Sequence, residues 1–293
     1  MRPIKADGNT LSVSVSGDFL ILSRPYDEEH EHLLTEGASL DGDTLTKAFP
    51  RSRFFATKAE IEAQENLFHT RVDFVSGMSG YSSLDEKRCT ELGIRVGEYE
   101  SAVMGIMTSA INRVRHLMPK IRYGLVFGSS SMGVDLAIEK VAREQNLPLL
   151  GYICLAYLWY VDNGTEGAPI CIMSTKEAYC EAFVAAADLL MACNGGEVSY
   201  QMDMIAAMKR FIPVMPINII GMLGASIPAF KNGKVNDAVG VLLHGLRLIR
   251  IGNAGQGLAE DRFQTVADDF ADAVTARARE VAPPQYAFEA LRK

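Results

Sequence analysis

The sequence predicts an α/β protein built on a doubly wound parallel sheet. Three observations carry that prediction. Tyr123–Phe127, Leu147–Leu155 and Asp188–Cys193 are short, nearly continuous apolar runs bounded by turn formers. Continuous rather than alternating hydrophobicity marks strands buried on both faces, as in parallel sheets. The first and third runs are each followed by a segment with apolar residues at helical spacing. The second is followed by the loop Asp162–Pro169, a short strand or its remnant at Ile170–Met173 and then the helical Lys176–Ala186, so strands and helices largely alternate. Two of the strands lead directly into small-residue loops, Gly128–Gly133 and Asn194–Ser199.

Before this array, Leu11–Leu22 alternates apolar and polar residues around Gly17-Asp18 and predicts a β-hairpin. Asp27–His32 reads as a charged, solvated stretch, and the Gly-, Asp- and Thr-rich segment to Arg53 as loop. Lys58–Asn66 predicts a short helix. Residues 1–68 are therefore expected to form an N-terminal extension, partly β. Residues 69–293 are expected to form the α/β domain.

In that domain Arg71–Val75 is expected as a strand and Ser76–Gly80 as a turn. Ser101–Leu117, Lys176–Ala186 and Tyr200–Phe211 predict helices, and Pro213–Ile220 a further strand. Ala238–Arg250 predicts a helix bent near Gly245. Leu258–Ala278 predicts an amphipathic helix, with Phe263, Val266, Phe270 and Val274 on one face. That helix would pack on the sheet or on a second subunit.

Composition narrows the function. The 293 residues carry a formal net charge of −7, with 48% hydrophobic and 22% charged residues. An acidic protein lacks the basic footprint of a general nucleic-acid or anionic-membrane surface, so neither partner is expected. The five cysteines show no C-x-x-C pairing, which points to a reducing compartment and a cytoplasmic location. No secretory leader is expected from the N-terminal residues. Phe211–Phe230 is uncharged and long enough to span a bilayer, but Pro213, Pro216 and Pro228 favour a strand and loop.

The loops carry the candidate chemistry. A strand, a Gly/Ser loop and a helix present free N–H groups and a helix N-terminus to an anion. Gly128–Gly133 has the G-x4-G spacing of a Walker loop, but Val134 and Asp135 follow where Lys and Ser/Thr are required, so a P-loop is rejected. The plain alternative is an ordinary βα turn. Asp135 suits the helix dipole but would repel a phosphate placed too close. In the second loop, the paired glycines Gly195 and Gly196 allow close approach to a ligand, and Ser199 can cap the next helix.

Other groups weigh less. His30-Glu31-His32 is more simply a solvated run than a metal site, and no metal or cofactor is expected. Trp159 and Tyr160 could stack on a base or pack in the core. Met202, Met204 and Met208 read as core.

The segment Gly124–Ile219 resembles the LOG family of "lysine decarboxylase-like" phosphoribohydrolases, and more widely the SLOG superfamily of Rossmann-like nucleotide binders. Five blocks carry the resemblance in order. Gly128–Gly133 is similar to a G-G-G/S-x-x-G loop, and Leu149-Leu-Gly151 to a strand ending in I-G. Met173–Glu177 is similar to M-x-x-R-K, Ala187–Met202 to A-D-x-x-I-x-L-P-G-G-x-G-T-x-x-E, and Ile212–Asn218 to K-P-V-x-L-L-N. The resemblance implies a Rossmann-like fold and a nucleotide-type ligand such as AMP or an ADP-ribose derivative. Gly128, Ser129, Ser130, Ser131, Met132 and Gly133 would contact phosphate, with Asn194, Gly195, Gly196, Val198 and Ser199.

Departures bear on catalysis. Lys176 stands where the family has its Arg, keeping the charge but losing the bidentate fork. Met202 stands where the family has its catalytic Glu. Asp203 is adjacent, but one helical step turns a side chain by ~100°. If the chain is an enzyme, N-glycosidic hydrolysis of a nucleotide is implied, with Lys176, Glu197 and Asp203 as catalytic candidates. The alternatives are a non-catalytic nucleotide sensor and a structural homo-oligomer, dimeric or higher, joined through the C-terminal helix.

Overall fold

A computed structural model describes residues 4–6, 9–34, 37–81, 84, 86–194, 197–217, 219, 223 and 260–281. It opens with antiparallel strands β1 (Ile4–Ala6), β2 (Asn9–Ser16), β3 (Phe19–Pro25), β4 (Ser39–Asp41) and β5 (Thr44–Pro50). These form a sheet in the order β1-β2-β3-β5-β4. The hairpin expected over residues 11–22 is β2–β3, turned at Gly17 with φ 56°.

The loop expected up to Arg53 is instead largely the hairpin β4–β5. The physical reason lies in one residue. In β5, Leu45, Lys47 and Phe49 all point inward and are buried. A lysine in an inward slot hides the period-2 alternation that would reveal the strand. The charged run after β3 is a 3-10 turn, Glu28–Leu34.

The second sheet follows. Its elements are β6 (Phe54–Phe55), α1 (Lys58–Arg71), β7 (Phe74–Gly80), α2 (Glu86–Leu92), α3 (Glu98–Leu117), β8 (Tyr123–Phe127), α4 (Gly133–Glu144), β9 (Leu149–Cys154), β10 (Ile170–Met173), α5 (Lys176–Ala185), β11 (Leu189–Cys193), α6 (Glu197–Arg210), β12 (Val214–Pro216) and α7 (Glu260–Val281). The strands are parallel, in the order β12-β11-β7-β8-β9-β10-β6. This is an α/β Rossmann-like arrangement with an added antiparallel sheet. Helix α1 spans the boundary expected at residues 68/69.

Both faces of the parallel sheet are covered. Phe74, Leu125, Phe127, Leu189 and Met191 point to the face holding α3, α4 and α7. Val75, Val126, Leu190 and Ala192 point to the face holding α1, α5 and α6. Successive residues of one strand thus feed opposite cores, which is why these strands read as unbroken apolar runs. A third core joins the antiparallel sheet to β9, β10 and the 3-10 segment Leu155–Tyr160.

Ser76–Gly80, expected as a turn, is the body of β7. Small residues are required there by close packing rather than by chain reversal. A Cβ on Gly77 would lie 3.2 Å from both Ala187 and Leu190 and 3.3 Å from Phe183. Helix α1 also runs further than expected, through Arg71, so the predicted strand at Arg71–Val75 shifts to Phe74–Gly80. A Thr57–Glu60 capping box starts that helix.

The helix predicted over Leu258–Ala278 is α7. Its apolar face (Val266, Phe270, Ala271, Val274) is spent inside this chain's own core, with Arg113 of α3 pairing Asp268 and Asp272. The predicted helix at Ala238–Arg250 lies outside the described residues. Among those described, no helix is long and apolar enough to cross a membrane.

Candidate functional site at the switch point of the sheet

The chain builds β7, β8, β9 and β10 outward in one direction and then returns to place β11 on the other side of β7. The switch point therefore lies between β7 and β11, and in such sheets ligands bind at the carboxyl ends beside it. Tyr99 of α3 ties the two ends together. Its hydroxyl donates to the Cys193 carbonyl at 2.5 Å and accepts from the Tyr81 N–H at 3.2 Å. A Cβ on Gly80 would run into that hydroxyl.

A cavity of about 490 Å³ opens at these carboxyl ends. β7 supplies Met78, Ser79 and Gly80, followed by Tyr81. The β8–α4 turn supplies Gly128, Ser130, Met132, Val134 and Asp135. Ile153, Tyr157 and Tyr160 come from β9 and the 3-10 segment after it. Tyr179 comes from α5 and Asp203 from α6.

The β8–α4 turn is satisfied from within. The Asp135 carboxylate accepts from Gly128 N at 2.8 Å and Ser130 N at 3.2 Å. Glu100 of α3 accepts from Gly133 N at 3.2 Å. Val134 N donates to the Tyr81 carbonyl at 2.7 Å, and Ser131 N and Oγ to the Tyr160 carbonyl at 3.4 and 2.9 Å. The expectation that these N–H groups wait for a phosphate meets a physical obstacle: two of the protein's own carboxylates hold the anion's place. Ser129 adopts φ 63°, a strained left-handed conformation for a residue with a Cβ, and its buried Oγ has no hydrogen-bond partner.

Two acids at this cavity are perturbed. Asp203 is 4% exposed, and burial pushes its carboxyl up to about 7. The Ser79 hydroxyl, donating to Oδ2 at 2.6 Å, and the Cys180 thiol pull it down less, while Asp135 adds to the rise. Its Oδ1 is buried without a hydrogen-bond partner. Burial raises Asp135 to about 6 against the lowering effect of the turn's donors. The Tyr179 hydroxyl is pushed well above its ordinary range by burial and by both carboxylates.

The other expected site residues divide as follows. Met202 is half-buried and does not line the cavity, whereas its neighbour Asp203 does. The ~100° step between them thus turns the acid inward. Lys176 opens α5 and sits over the Tyr157 ring at 4.8 Å, outside the lining. Asn194 follows β11 with φ 50°, mirroring Ser129 after β8. Gly195 and Gly196 lie outside the described residues. Glu197, Val198 and Ser199 form the first turn of α6, which starts earlier than expected; their side chains lie outside the description.

Trp159 is buried in the third core, while Tyr160 faces the cavity and stacks on His32 at 6.2 Å. Sequence reasoning missed Ser79, Tyr81 and Tyr179. Their only signal was position, two at the end of a strand and one in the first turn of the helix that Lys176 opens.

No family model and no curated protein matches the chain. Among solved structures it is similar to the protein TM1055, at 16% identity and TM-score 0.32, over 48% of this chain and 72% of that one. It is similar to the molybdenum cofactor binding protein of the phototrophic bacterium Rippkaea orientalis, at 13% identity and TM-score 0.39, over 61% and 89%. It is also similar to the molybdenum cofactor carrier protein of Chlamydomonas reinhardtii, at 14% and 0.36, over 70% and 98%.

Proposed function

We propose that the chain is a nucleotide- or nucleotide-sugar-binding protein whose ligand seats its base in the switch-point cavity. One observation carries this reading: a roughly nucleoside-sized cavity of about 490 Å³ at the carboxyl ends of the sheet, walled by Tyr81, Tyr157, Tyr160 and Tyr179. Tyrosines offer flat apolar faces to a base and hydroxyls for its polar edge. The sequence resemblance to the SLOG and LOG proteins supports the same ligand class. A phosphate is assigned to the Asn194–Ser199 side, with Lys176 as its counter-charge. Homo-oligomerisation is retained, through a surface other than the apolar stripe of α7. The test is release of a nucleotide or nucleoside from the denatured purified protein, together with a thermal shift across a panel of nucleosides and nucleotides. Absence of both sinks the reading.

One observation favours catalysis as a second reading. Asp203 faces the cavity with its carboxyl raised to about 7, which suits a general acid near neutrality. It would protonate the departing base as the N-glycosidic bond breaks and water adds to the anomeric carbon. Release of free base from a bound nucleotide supports this reading. Binding without release, or turnover unchanged in Asp203→Asn, removes it.

A further inference from the structure

The β8–α4 turn has the shape of an anion cradle, yet it is closed to anions. Gly128 N and Ser130 N point at Asp135, and Gly133 N at Glu100. An incoming phosphate would have to displace carboxylates that already enjoy those N–H groups and the helix dipole, and then lie against their charge. Among the described residues, no Lys, Arg or His lines the cavity. The charged residues among the described lining are Asp135 and Asp203.

Asp203 adds an observation of a different kind. Asp203 lines the cavity; its Oδ2 is bonded by Ser79, while its Oδ1 is buried and has no hydrogen-bond partner. A buried carboxyl oxygen left alone is costly, and a donor from a ligand would relieve it. Flat aromatic walls supply stacking surface beside it.

We infer that the group seated in this cavity is an uncharged or cationic nitrogen heterocycle that donates an N–H to Asp203, and that the protein's own carboxylates exclude phosphate from the β8–α4 turn. The inference rests on the cavity being the ligand site, and it reverses the usual use of such a turn: the acidic end of the pocket selects the base, not the phosphate. A nucleotide bound here would point its phosphates away from Gly128–Gly133.

The experiment is calorimetric titration of the full chain with adenosine, guanosine and cytidine, each beside its 5′-monophosphate, and with inorganic phosphate. The best nucleoside is expected to bind within tenfold of its monophosphate, undisplaced by 10-fold excess inorganic phosphate. A monophosphate preference above tenfold, with displacement by inorganic phosphate, overturns the inference while leaving the proposed function standing. Failure of every nucleoside and nucleotide to bind sinks both.

Asp135→Ala tests the closed turn directly. Freed of its carboxylate, the turn is expected to bind inorganic phosphate at least tenfold more tightly than the unaltered protein; no gain overturns the exclusion. Asp135→Asn removes the charge, keeps one acceptor oxygen and sets an NH2 against the other N–H, and it serves if the alanine variant does not fold. It is expected to show a smaller gain, and none at all counts against the idea. Asp203→Ala is expected to lose at least tenfold in nucleoside affinity, and unchanged affinity removes Asp203 from the recognition.

Discussion

Lys47 and Arg53 are buried where the antiparallel sheet meets the parallel one, and Asp135 and Asp203 are buried at the cavity. The cations act as fasteners. Lys47 Nζ donates to the Trp159 carbonyl at 2.8 Å. Arg53 donates to the carbonyls of Ala168, Asp162 and Gly164 at 3.0 to 3.2 Å, with Glu139 and Asp162 carboxylates at 3.7 and 3.5 Å. Both hold the stretch between β9 and β10, which carries Tyr157 and Tyr160 into the cavity wall. The acids are treated differently. Asp135 closes a turn, and Asp203 keeps one oxygen unanswered. Cations satisfied by backbone carbonyls hold structure; an acid left unsatisfied beside a cavity marks where a ligand completes the bonding.

Arg53→Ala should give the largest effect. It strips the donor from the buried Ala168 carbonyl and the part-buried Asp162 and Gly164 carbonyls and leaves a cavity, a loss of roughly 2–4 kcal/mol in denaturant unfolding. A loss under about 1 kcal/mol would remove Arg53 from the fasteners. Lys47→Met keeps the bulk but orphans the Trp159 carbonyl, at a cost of about 1–3 kcal/mol. Because Lys47 does not line the cavity, a drop in nucleoside affinity in this variant would show that the N-terminal sheet sets the tyrosine wall.

The acids predict a pH effect. Unfolded, the Asp203 carboxyl loses its proton near its ordinary value of 3.8; folded, it holds the proton to about 7. Between those values the folded state binds more protons, so the Asp203 contribution is full below about pH 4 and lost as pH rises through 7. The slope is at most about 1.4 kcal/mol per pH unit. Asp203→Asn should flatten unfolding stability over that window; an unchanged slope would contradict a buried, proton-holding acid. Ser129→Gly should give the smallest change, a gain of roughly 0.5–1 kcal/mol from relief of the left-handed backbone at φ 63°. A loss instead would mean that the orphaned hydroxyl contributes to the fold.

Much of the scaffold was legible. Strands β8, β9 and β11 were readable because burial on both faces leaves unbroken apolar runs, and α7 because one face is apolar. Hairpin β4–β5 was hidden because Lys47 occupies an inward slot, and its partner, the Trp159 carbonyl, lies 112 residues away. Strand β7 was hidden because Ser76, Gly77, Ser79 and Gly80 resemble turn formers, and only the groups packed against Gly77 and Gly80 in the fold explain those two glycines. At the site, the Gly128–Gly133 turn and Asp203 were visible as motif neighbours. Tyr81 and Tyr179 were indistinguishable from core aromatics.

The sequence by itself determined the alternation of strand and helix, the βα turns after β8 and β11, and the acidic net charge. These are local or compositional properties, written in periods of two and 3.6 residues. The tertiary structure alone decided what the β8–α4 turn does. Asp135 reaches Gly128 across seven residues, Glu100 reaches Gly133 from another helix, and Asp203 arrives from α6 after β11 has crossed back beside β7. Hydrogen bonds in a buried turn go to whichever acceptor the fold brings, and here the fold brings carboxylates.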